Sequence, residues 1–415
     1  MKFIILAILL AIAQLSFSQT RRQFLKHNQF DLLSTEFSFP QNDFKIIGFG
    51  AYHGSQKTEV AEHILLADLL KNKLINYYLP ETDFAIAHYF NQYLHYGDTV
   101  LLKDLVKHYG QRVPQEQSIE TFNKWKDIKA LNDNQPDGNK LEVVGIDLIV
   151  TYKYTAKLLI ELLPLKKGRS SGYDELVQMV TIDTTDYSPD HESFSKAVLK
   201  KFVTDYQEHL QEYQSVSKNT KIVTHLINNI NLTFKKSGRE RTLFENYIAL
   251  SEFYNFKSKP QFVRMGFFHI EKDRENNNPS FFTRLIENKI YDRNQVISIA
   301  GFLTKSRVLW DVQHNHKNEY LGYTTKGGFG IGDYWKEYFK GIGRLKRTRL
   351  SDLTLYHLNL EHSPYREKRT DLMEIKTFPK KSNKDGLKGK TTTDYFDYAL
   401  LISNSAANSP LELKQ

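Results

Sequence analysis

The stretch that most constrains the fold is a short apolar run at 44–54, FKIIGFGAYHG, which ends in glycines and a histidine. An apolar run that is bounded by glycines and followed by a helical pattern is typical of a buried strand ending at a strand-to-helix turn. Ligands of open α/β sheets bind at the carboxyl ends of the strands. His53 therefore lies where a catalytic side chain is expected.

Two further apolar runs lead into side chains that can take part in chemistry. The run at 75–79 is followed by Glu81, and the run at 262–265 leads into His269 through a second G-x-x-H motif. The carboxyl ends of parallel strands lie at the same edge of a sheet. We therefore expect His53, Glu81 and His269 to lie near one another.

Two histidines and one glutamate form a set that can support hydrolysis. A neutral imidazole accepts a proton or binds a metal near neutral pH, and a carboxylate beside it orients the ring and raises its basicity. The set could activate water directly, or it could hold a divalent metal ion whose bound water has a lowered pKa. The alternative is that both histidines are structural residues with satisfied hydrogen bonds.

Strand patterns and helix patterns alternate along the chain. A third strand at 141–146 ends in Asp147, and the second half repeats the order strand, histidine, helix, strand with strands at 262–266 and 295–302. Such alternation predicts parallel βαβ units. We predict an α/β fold with a mainly parallel sheet flanked by helices, in two similar halves. Asp147 has two interpretations, a helix N-cap or a site residue.

Helical spacing without strands marks two regions. Apolar residues recur at helical intervals in the segment 58–70. Glu59 and Glu62 lie in the first turn, where the helix dipole stabilises negative charge. The longer region at about 152–255 shows only helical patterns and predicts a helical insertion, with one helix face running through 194–213.

The N-terminal segment has the features of a secretory signal peptide. A lysine precedes an apolar run at 3–13, and Ser16 and Ser18 provide a small-x-small cleavage site. The run is shorter than a membrane-spanning helix requires. We predict a signal peptide at 1–18, export to the periplasm or the medium, and one domain at 19–415 without a membrane span. An uncleaved anchor is the alternative.

Composition excludes several classes of function. The chain has no cysteine, so disulfides, a cysteine nucleophile and a lipid anchor on cysteine are excluded. Its net charge is +9 at pH 7, but the basic residues are spread along the chain and no nucleic-acid-binding module surrounds them. We expect a small-molecule or peptide substrate and no nucleic acid.

The order of the motifs resembles the erythromycin esterase-like proteins. The matching segments lie between about residues 44 and 405 and read IIGFGAYHG, YLPE, VVGIDL, RERTLFEN, GFFH and FDYALLIS. The two G-x-x-H motifs with an intervening glutamate also resemble the related TraB/Tiki-type proteins. That second likeness implies the same α/β core and a metal-dependent protease.

The resemblance to the esterases implies that a histidine activates water as a general base and that an ester or amide bond is cleaved. By this resemblance His53 corresponds to the base and Glu81 to a strand-end glutamate. His269 corresponds to the second of two downstream histidines. Arg239 and Asn246 match a helix motif in which the arginine faces the site.

The sequence departs from the esterase pattern at three places. Phe49 and Gly50 stand where esterases usually carry Gly-Glu, and Gly266 stands where the first downstream histidine is usual. An arginine early in the helix after His53 is not evident. Because part of the esterase set is replaced, a non-catalytic ligand-binding protein on the same fold is the alternative to a hydrolase.

Overall fold

A mostly parallel sheet of eight strands forms the centre of the computed structural model, which describes residues 20–166, 168, 170–182, 192–314, 316–317, 320–326, 332–367, 369–379 and 381–411. The strands in chain order are β1 (Gln29–Asp31), β2 (Ile46–Gly50), β3 (Tyr77–Pro80), β4 (Glu142–Val143), β5 (Gln261–Met265), β6 (Val296–Thr304), β7 (Val308–His314), β8 (Tyr320–Lys326), β9 (Asp333–Tyr334), β10 (Glu337–Phe339), β11 (Leu353–His357), β12 (Ile375–Thr377), β13 (Lys381–Ser382) and β14 (Tyr398–Ser403). The predicted signal peptide at 1–18 lies outside the described residues, and the predicted limits of a single domain stay a prediction.

The order of strands in the large sheet is β1-β11-β14-β6-β2-β5-β3-β4. All neighbours from β14 to β4 pair in parallel, whereas β11 runs antiparallel to both β14 and β1. The parallel strands are buried along nearly their whole length, as expected for a sheet that helices cover on both faces. The predicted α/β class with a mainly parallel sheet is therefore confirmed.

Helices connect the parallel strands and fill the predicted insertion. In chain order they are α1 (Arg21–His27), α2 (Gln56–Lys71), α3 (Phe84–Tyr96), α4 (Thr99–Tyr109), α5 (Ile119–Asp133), α6 (Tyr152–Leu162), α7 (Ser171–Thr181), α8 (Phe194–Glu208), α9 (Leu210–Val216), α10 (Thr220–Phe234), α11 (Arg239–Tyr254), α12 (Phe281–Glu287) and α13 (Ile342–Thr348). Helices α6 to α11 account for the predicted helical insertion. None of the helices in the described part of the chain is long and apolar enough to cross a bilayer.

The prediction of one continuous helix face through 194–213 is wrong. Helix α8 ends at Glu208 and α9 begins at Leu210, because His209 between them has φ −116° and ψ 34°, outside the helical region. The spacing of the apolar residues continues across the break, so the pattern alone did not reveal it.

The two halves repeat one order of elements. Strand β2 leads through His53 to α2 and β3, and strand β5 leads through His269 to α12 and β6. In the sheet β2 pairs with β5, while β3 lies beyond β5 and β6 lies beyond β2. Each crossover therefore skips one strand, and the loops that carry the two histidines lie side by side at the centre of the sheet.

Glycines in β2 allow the second of these loops to pack against the strand. A Cβ atom at Gly48 would lie 2.6 Å from the ring of Phe282, and one at Gly50 would lie 2.5 Å from the side chain of Ile270. Separations below 3.0 Å do not occur between real Cβ atoms and their neighbours. The packing of Ile270 against the strand therefore leaves no room for a side chain at Gly50.

Two smaller sheets lie outside the predicted elements. Strands β7 and β8 form an antiparallel hairpin, and a four-stranded antiparallel sheet has the order β13-β12-β10-β9. The central strand β10 of the small sheet packs Phe339 against Phe267, with ring centroids 5.6 Å apart. Since Phe267 begins the turn that contains His269, the small sheet lies next to the loops of the large one.

Candidate active site

The predicted residues His53, Glu81 and His269 come together at the carboxyl ends of β2, β3 and β5. His53 Nε2 lies 3.0 Å from Glu81 Oε2, and the backbone N–H of Gly266 donates to the same oxygen at 2.7 Å. A Cβ placed on Gly266 would lie 3.8 Å from both Glu81 Oε2 and His269 Nε2. The glutamate and the second histidine therefore line one narrow gap, which the missing side chain of Gly266 leaves open.

A second carboxylate, which the sequence analysis missed, holds the other side of His53. Glu116 ends the 3-10 turn Pro114–Glu116, and its Oε1 lies 2.5 Å from His53 Nδ1. Its Oε2 accepts a hydrogen bond from Thr121 Oγ1 at 2.9 Å. His53 thus has a carboxylate beside each of its ring nitrogens, Glu81 at Nε2 and Glu116 at Nδ1.

The two carboxylates fix the charge of His53. Burial and the nearby guanidinium of Arg264 lower the pKa of the imidazole, but Glu81 and Glu116 outweigh both and raise the pKa to about 9. At pH 7 the ring is therefore an imidazolium that donates one N–H to each carboxylate. A ring in this form stabilises negative charge, and it becomes a base only after it has lost a proton.

Arg239 lies at the site, as the resemblance implied, and it joins two carboxylates there. Its Nη2 lies 2.5 Å from Glu81 Oε1, and its Nε donates to Asp147 Oδ1 at 3.1 Å. Burial alone raises the pKa of the Glu81 carboxyl, but Arg239 and His53 together hold that pKa well below its ordinary value. Glu81 is thus a permanent carboxylate whose oxygens are both engaged.

Asp147 and Asn246 support this arrangement. Helix α6 has Thr151 as its N-cap, so Asp147 is not the cap of that helix, and its carboxylate binds Arg239 instead. Burial raises the pKa of Asp147, yet Arg239 and Arg112 lower it more. Asn246 donates to the backbone carbonyl of Ile146 at 2.9 Å, which anchors the segment before Asp147.

A glutamate next to Arg239 in the chain orients the second histidine. Glu240 Oε1 lies 2.6 Å from His269 Nδ1, and Glu240 Oε2 accepts the backbone N–H of Phe281 at 2.8 Å. The other ring nitrogen, His269 Nε2, lies at the gap beside Glu81. Glu240 was also missed, although it lies in the same RERTLFEN motif as Arg239.

A cluster of buried charges lies behind His53, and we call Lys124, Glu59, Glu62, Glu116 and Arg264 the Lys124 cluster. Lys124 Nζ lies 2.6 Å from Glu59, 2.9 Å from Glu62 and 3.8 Å from Glu116. Arg264 Nε lies 3.3 Å from Glu62. Burial raises the pKa of Glu59 to about 7. Burial also acts to raise the pKa of Glu116, but the positive charges of Lys124 and His53 outweigh it and hold the pKa of Glu116 below its ordinary value. The cluster therefore keeps Glu116 ionised against His53.

The donor groups at the site are not arranged for a metal ion. Both ring nitrogens of His53 face carboxylate oxygens, so neither presents a lone pair to a metal. In the part of the chain that the structure describes, no three His, Asp or Glu residues are grouped to hold an ion. We therefore derive no chemical step through a metal.

Comparisons with known proteins identify the fold. No family model matches the chain, and no curated protein matches its sequence. A crystal structure of a Bacillus cereus protein is similar with a TM-score of 0.61 at 14% identity and covers 94% of this chain and 98% of its own. A succinoglycan biosynthesis protein gives a TM-score of 0.57 at 13% identity and covers 96% and 99%.

The third similar structure is that of an esterase. Erythromycin esterase EreC, as a mutant in its open conformation, gives a TM-score of 0.55 at 12% identity and covers 89% of this chain and 93% of its own. Identities this low show a common fold and do not show a common activity. The chain therefore has an erythromycin esterase-like α/β fold.

Proposed function

We propose that this chain is an exported hydrolase that cleaves an ester or amide bond in a small molecule or peptide by a histidine-activated water. The observation that supports the proposal is the position of His53 between the carboxylates of Glu81 and Glu116 at the carboxyl end of β2. Hydrolysis by the esterase that shares the fold adds support from analogy alone. Export rests on the signal-peptide features, and N-terminal sequencing of the exported protein is expected to find Gln19 first; retention of Met1 would contradict it.

The proposed mechanism begins when His53 loses its second proton. Glu116 keeps the proton on Nδ1, so the lone pair of Nε2 then faces the carboxylate of Glu81, and this contact is repulsive. A water molecule that donates one hydrogen to Nε2 and the other to Glu81 relieves the repulsion. That water attacks the carbonyl carbon while His53 takes its proton, as in other histidine-based sites in which a carboxylate orients the ring.

The remaining groups act on the other parts of the substrate. Arg239 places positive charge beside Glu81, where it stabilises the oxygen that becomes negative as water attacks. His269 Nε2 lines the same gap, with Glu240 behind its other nitrogen. His269 is therefore placed to hydrogen-bond the leaving group, to which His53 passes the proton that it has taken from water.

Ligand binding without turnover is the second candidate function. It is favoured by the two carboxylates that flank His53, because they raise the pKa of the imidazole to about 9 and an imidazolium at pH 7 cannot accept a proton. A site with a fixed cation between fixed carboxylates suits a polar ligand that is held but not cleaved. The third possibility, a metal-dependent protease of the Tiki type, has no support in the arrangement of the donor groups.

The pH dependence of hydrolysis tests the proposal. With small esters, lactones and peptide amides as substrates, we expect kcat/KM to rise with pH to a plateau and to report a pKa near 9, the value for His53. The Glu116→Gln variant lacks one of the two carboxylates that raise this pKa. Its profile is expected to move to lower pH by about 1 to 2 units.

The control is Glu245→Gln, which removes an exposed carboxylate on α11 that pairs with Arg241. Its profile should coincide with that of the wild type. A rate that does not depend on pH, or an equal shift in both variants, would contradict His53 as the base. Saturable binding of the same compounds without any product would support the ligand-binding alternative.

A further inference from the structure

The small sheet carries an exposed aromatic surface that the hydrolytic site does not use. Trp335, Tyr338 and Phe378 are 64%, 42% and 66% exposed, and we call these three residues the aromatic platform. They line a cavity of about 480 Å³ together with Lys376, Thr377, Lys381 and Ser382. A group of large exposed apolar side chains around one concavity is a mark of a binding surface, whereas single exposed residues are ordinary.

The strands of the small sheet hold the platform in a fixed geometry. The rings of Trp335 and Phe378 have centroids 5.8 Å apart and planes inclined by 55°. The backbone N–H of Phe378 donates to the carbonyl of Lys336 at 2.8 Å, which ties the two ring-bearing segments together. Tyr338 lies opposite Lys376 in the β-ladder. The platform is therefore preorganised, and a ligand does not have to order it.

The charges around the platform are positive. Lys336 lies over the ring of Trp335 at 5.0 Å from its centroid, and Lys376 and Lys381 line the cavity. The nearby acidic groups already have basic partners, since one carboxylate, Glu374, is shared by Lys340 at 2.8 Å and Lys376 at 2.5 Å, and Asp333 lies 2.5 Å from Lys346. Two ammonium groups on one carboxylate leave a surplus of positive charge. An anionic ligand is thus favoured over a cationic one.

We propose that the aromatic platform binds an acidic polysaccharide. The faces of the rings carry partial negative charge and attract the C–H face of a sugar ring. The hydroxyl group of Thr377 lines the cavity and offers a hydrogen bond to a sugar hydroxyl, and the lysines meet the carboxylates of the polymer. Aromatic side chains that enter a lipid bilayer protrude from the protein surface. The platform is concave instead and is lined by a hydroxyl group, so its shape fits a sugar ring better than a bilayer.

The platform lies on the side of the small sheet away from the hydrolytic site. Along β10 the side chains alternate, so Tyr338 is exposed while Phe339 is buried against Phe267, next to the turn of His269. A polymer on the platform is consequently held beside the hydrolytic site without entering it. Binding there does not depend on turnover at His53, so the proposal extends beyond the proposed function.

Affinity measurements with defined polymers test this proposal. The probe is polygalacturonate, a polymer of uronic acids, and neutral dextran and vesicles of phosphatidylglycerol and phosphatidylcholine are the comparisons. We expect the wild type to bind polygalacturonate, with affinity that falls as salt is added. The Trp335→Ala/Phe378→Ala double variant is expected to bind at least about tenfold more weakly, which corresponds to the loss of two stacking contacts.

Three further variants make the test specific. Phe253→Ala removes an aromatic side chain on α11 that is also exposed, and it should bind like the wild type. Lys336→Gln/Lys381→Gln is expected to lose the salt dependence of binding. His53→Asn should retain binding, which separates this proposal from the proposed function.

Other outcomes would overturn the proposal. These are unchanged affinity in the double aromatic variant, equal binding of dextran and polygalacturonate, and binding to the vesicles alone. Because the aromatic and lysine side chains substituted here are exposed, equal thermal unfolding temperatures should show that those variants are folded. A cooperative thermal transition shows the same for His53→Asn, whose side chain is buried.

Discussion

Replacing His53 with asparagine is expected to reduce kcat/KM for ester or amide hydrolysis by about 10²- to 10⁴-fold, the usual contribution of a general base. Asparagine can keep a hydrogen bond to a neighbouring carboxylate, but it cannot accept a proton from water. The loss should be measured at the pH of the wild-type plateau, where the imidazole is neutral. Below pH 9 the wild-type rate falls, so the difference between the two proteins is expected to shrink there.

Two controls separate chemistry from folding. His95→Asn removes an exposed histidine far along α3 and should leave the rate unchanged. His53→Asn leaves the carboxylates of Glu81 and Glu116 without the imidazolium that neutralises them, which could destabilise the fold. The double variant His53→Asn/Glu116→Gln removes one of these two negative charges. If the double variant is stable and still inactive, the loss is chemical. Activity within about threefold of the wild type in the single variant would contradict a catalytic His53.

The parts of the site that follow parallel strands could be predicted from the sequence. His53, Glu81 and His269 each come at or near the end of a short apolar run, and glycines mark the turns. Since the strands pair in parallel, these positions must meet at one edge of the sheet. The regular alternation of strands and helices indicated the fold class, and the helical spacing without strands at about 152–255 indicated the helical insertion.

The parts of the site that come from turns and helices could not be predicted. Glu116 lies in a short 3-10 turn between two helices, and its only local signal is the preceding Pro114. Glu59 occupies the first turn of α2, where acidic residues are common on exposed surfaces, yet it is buried against Lys124. Which face of a helix meets which neighbour depends on tertiary packing that periodicity does not specify.

Replacing Lys124 with methionine is expected to lower the free energy of unfolding by about 3 to 5 kcal/mol at pH 7, the cost of removing one partner from a buried ion pair. The ammonium group lies within 4 Å of Glu59, Glu62 and Glu116, and its side chain is 4% exposed. Methionine fills a similar volume but leaves three buried carboxylates facing one another. Urea unfolding monitored by circular dichroism would measure the difference.

The control for this substitution lies on the same helix. Lys126→Met removes an exposed ammonium group on α5, and the free energy of unfolding should change by no more than about 0.5 kcal/mol. The double variant Lys124→Met/Glu59→Gln has one buried carboxylate fewer and is expected to recover part of the lost stability. Equal stability of Lys124→Met and Lys126→Met would show that the carboxylates of the Lys124 cluster are not charged in the folded protein.

The pH dependence of this loss has a definite sign. Burial raises the pKa of Glu59 from 4.5 to about 7, so the folded chain holds this proton to higher pH than the unfolded chain does. Stability therefore falls as the pH rises between these values, and removal of the ammonium raises the pKa of Glu59 further and widens the range. The destabilisation by Lys124→Met should thus be smaller at pH 5 than at pH 8. The same substitution removes a cation beside the pair of Glu116 and His53, and Glu116 stays ionised at the pH where His53 titrates, so any remaining hydrolysis should report a pKa for His53 at or above that of the wild type.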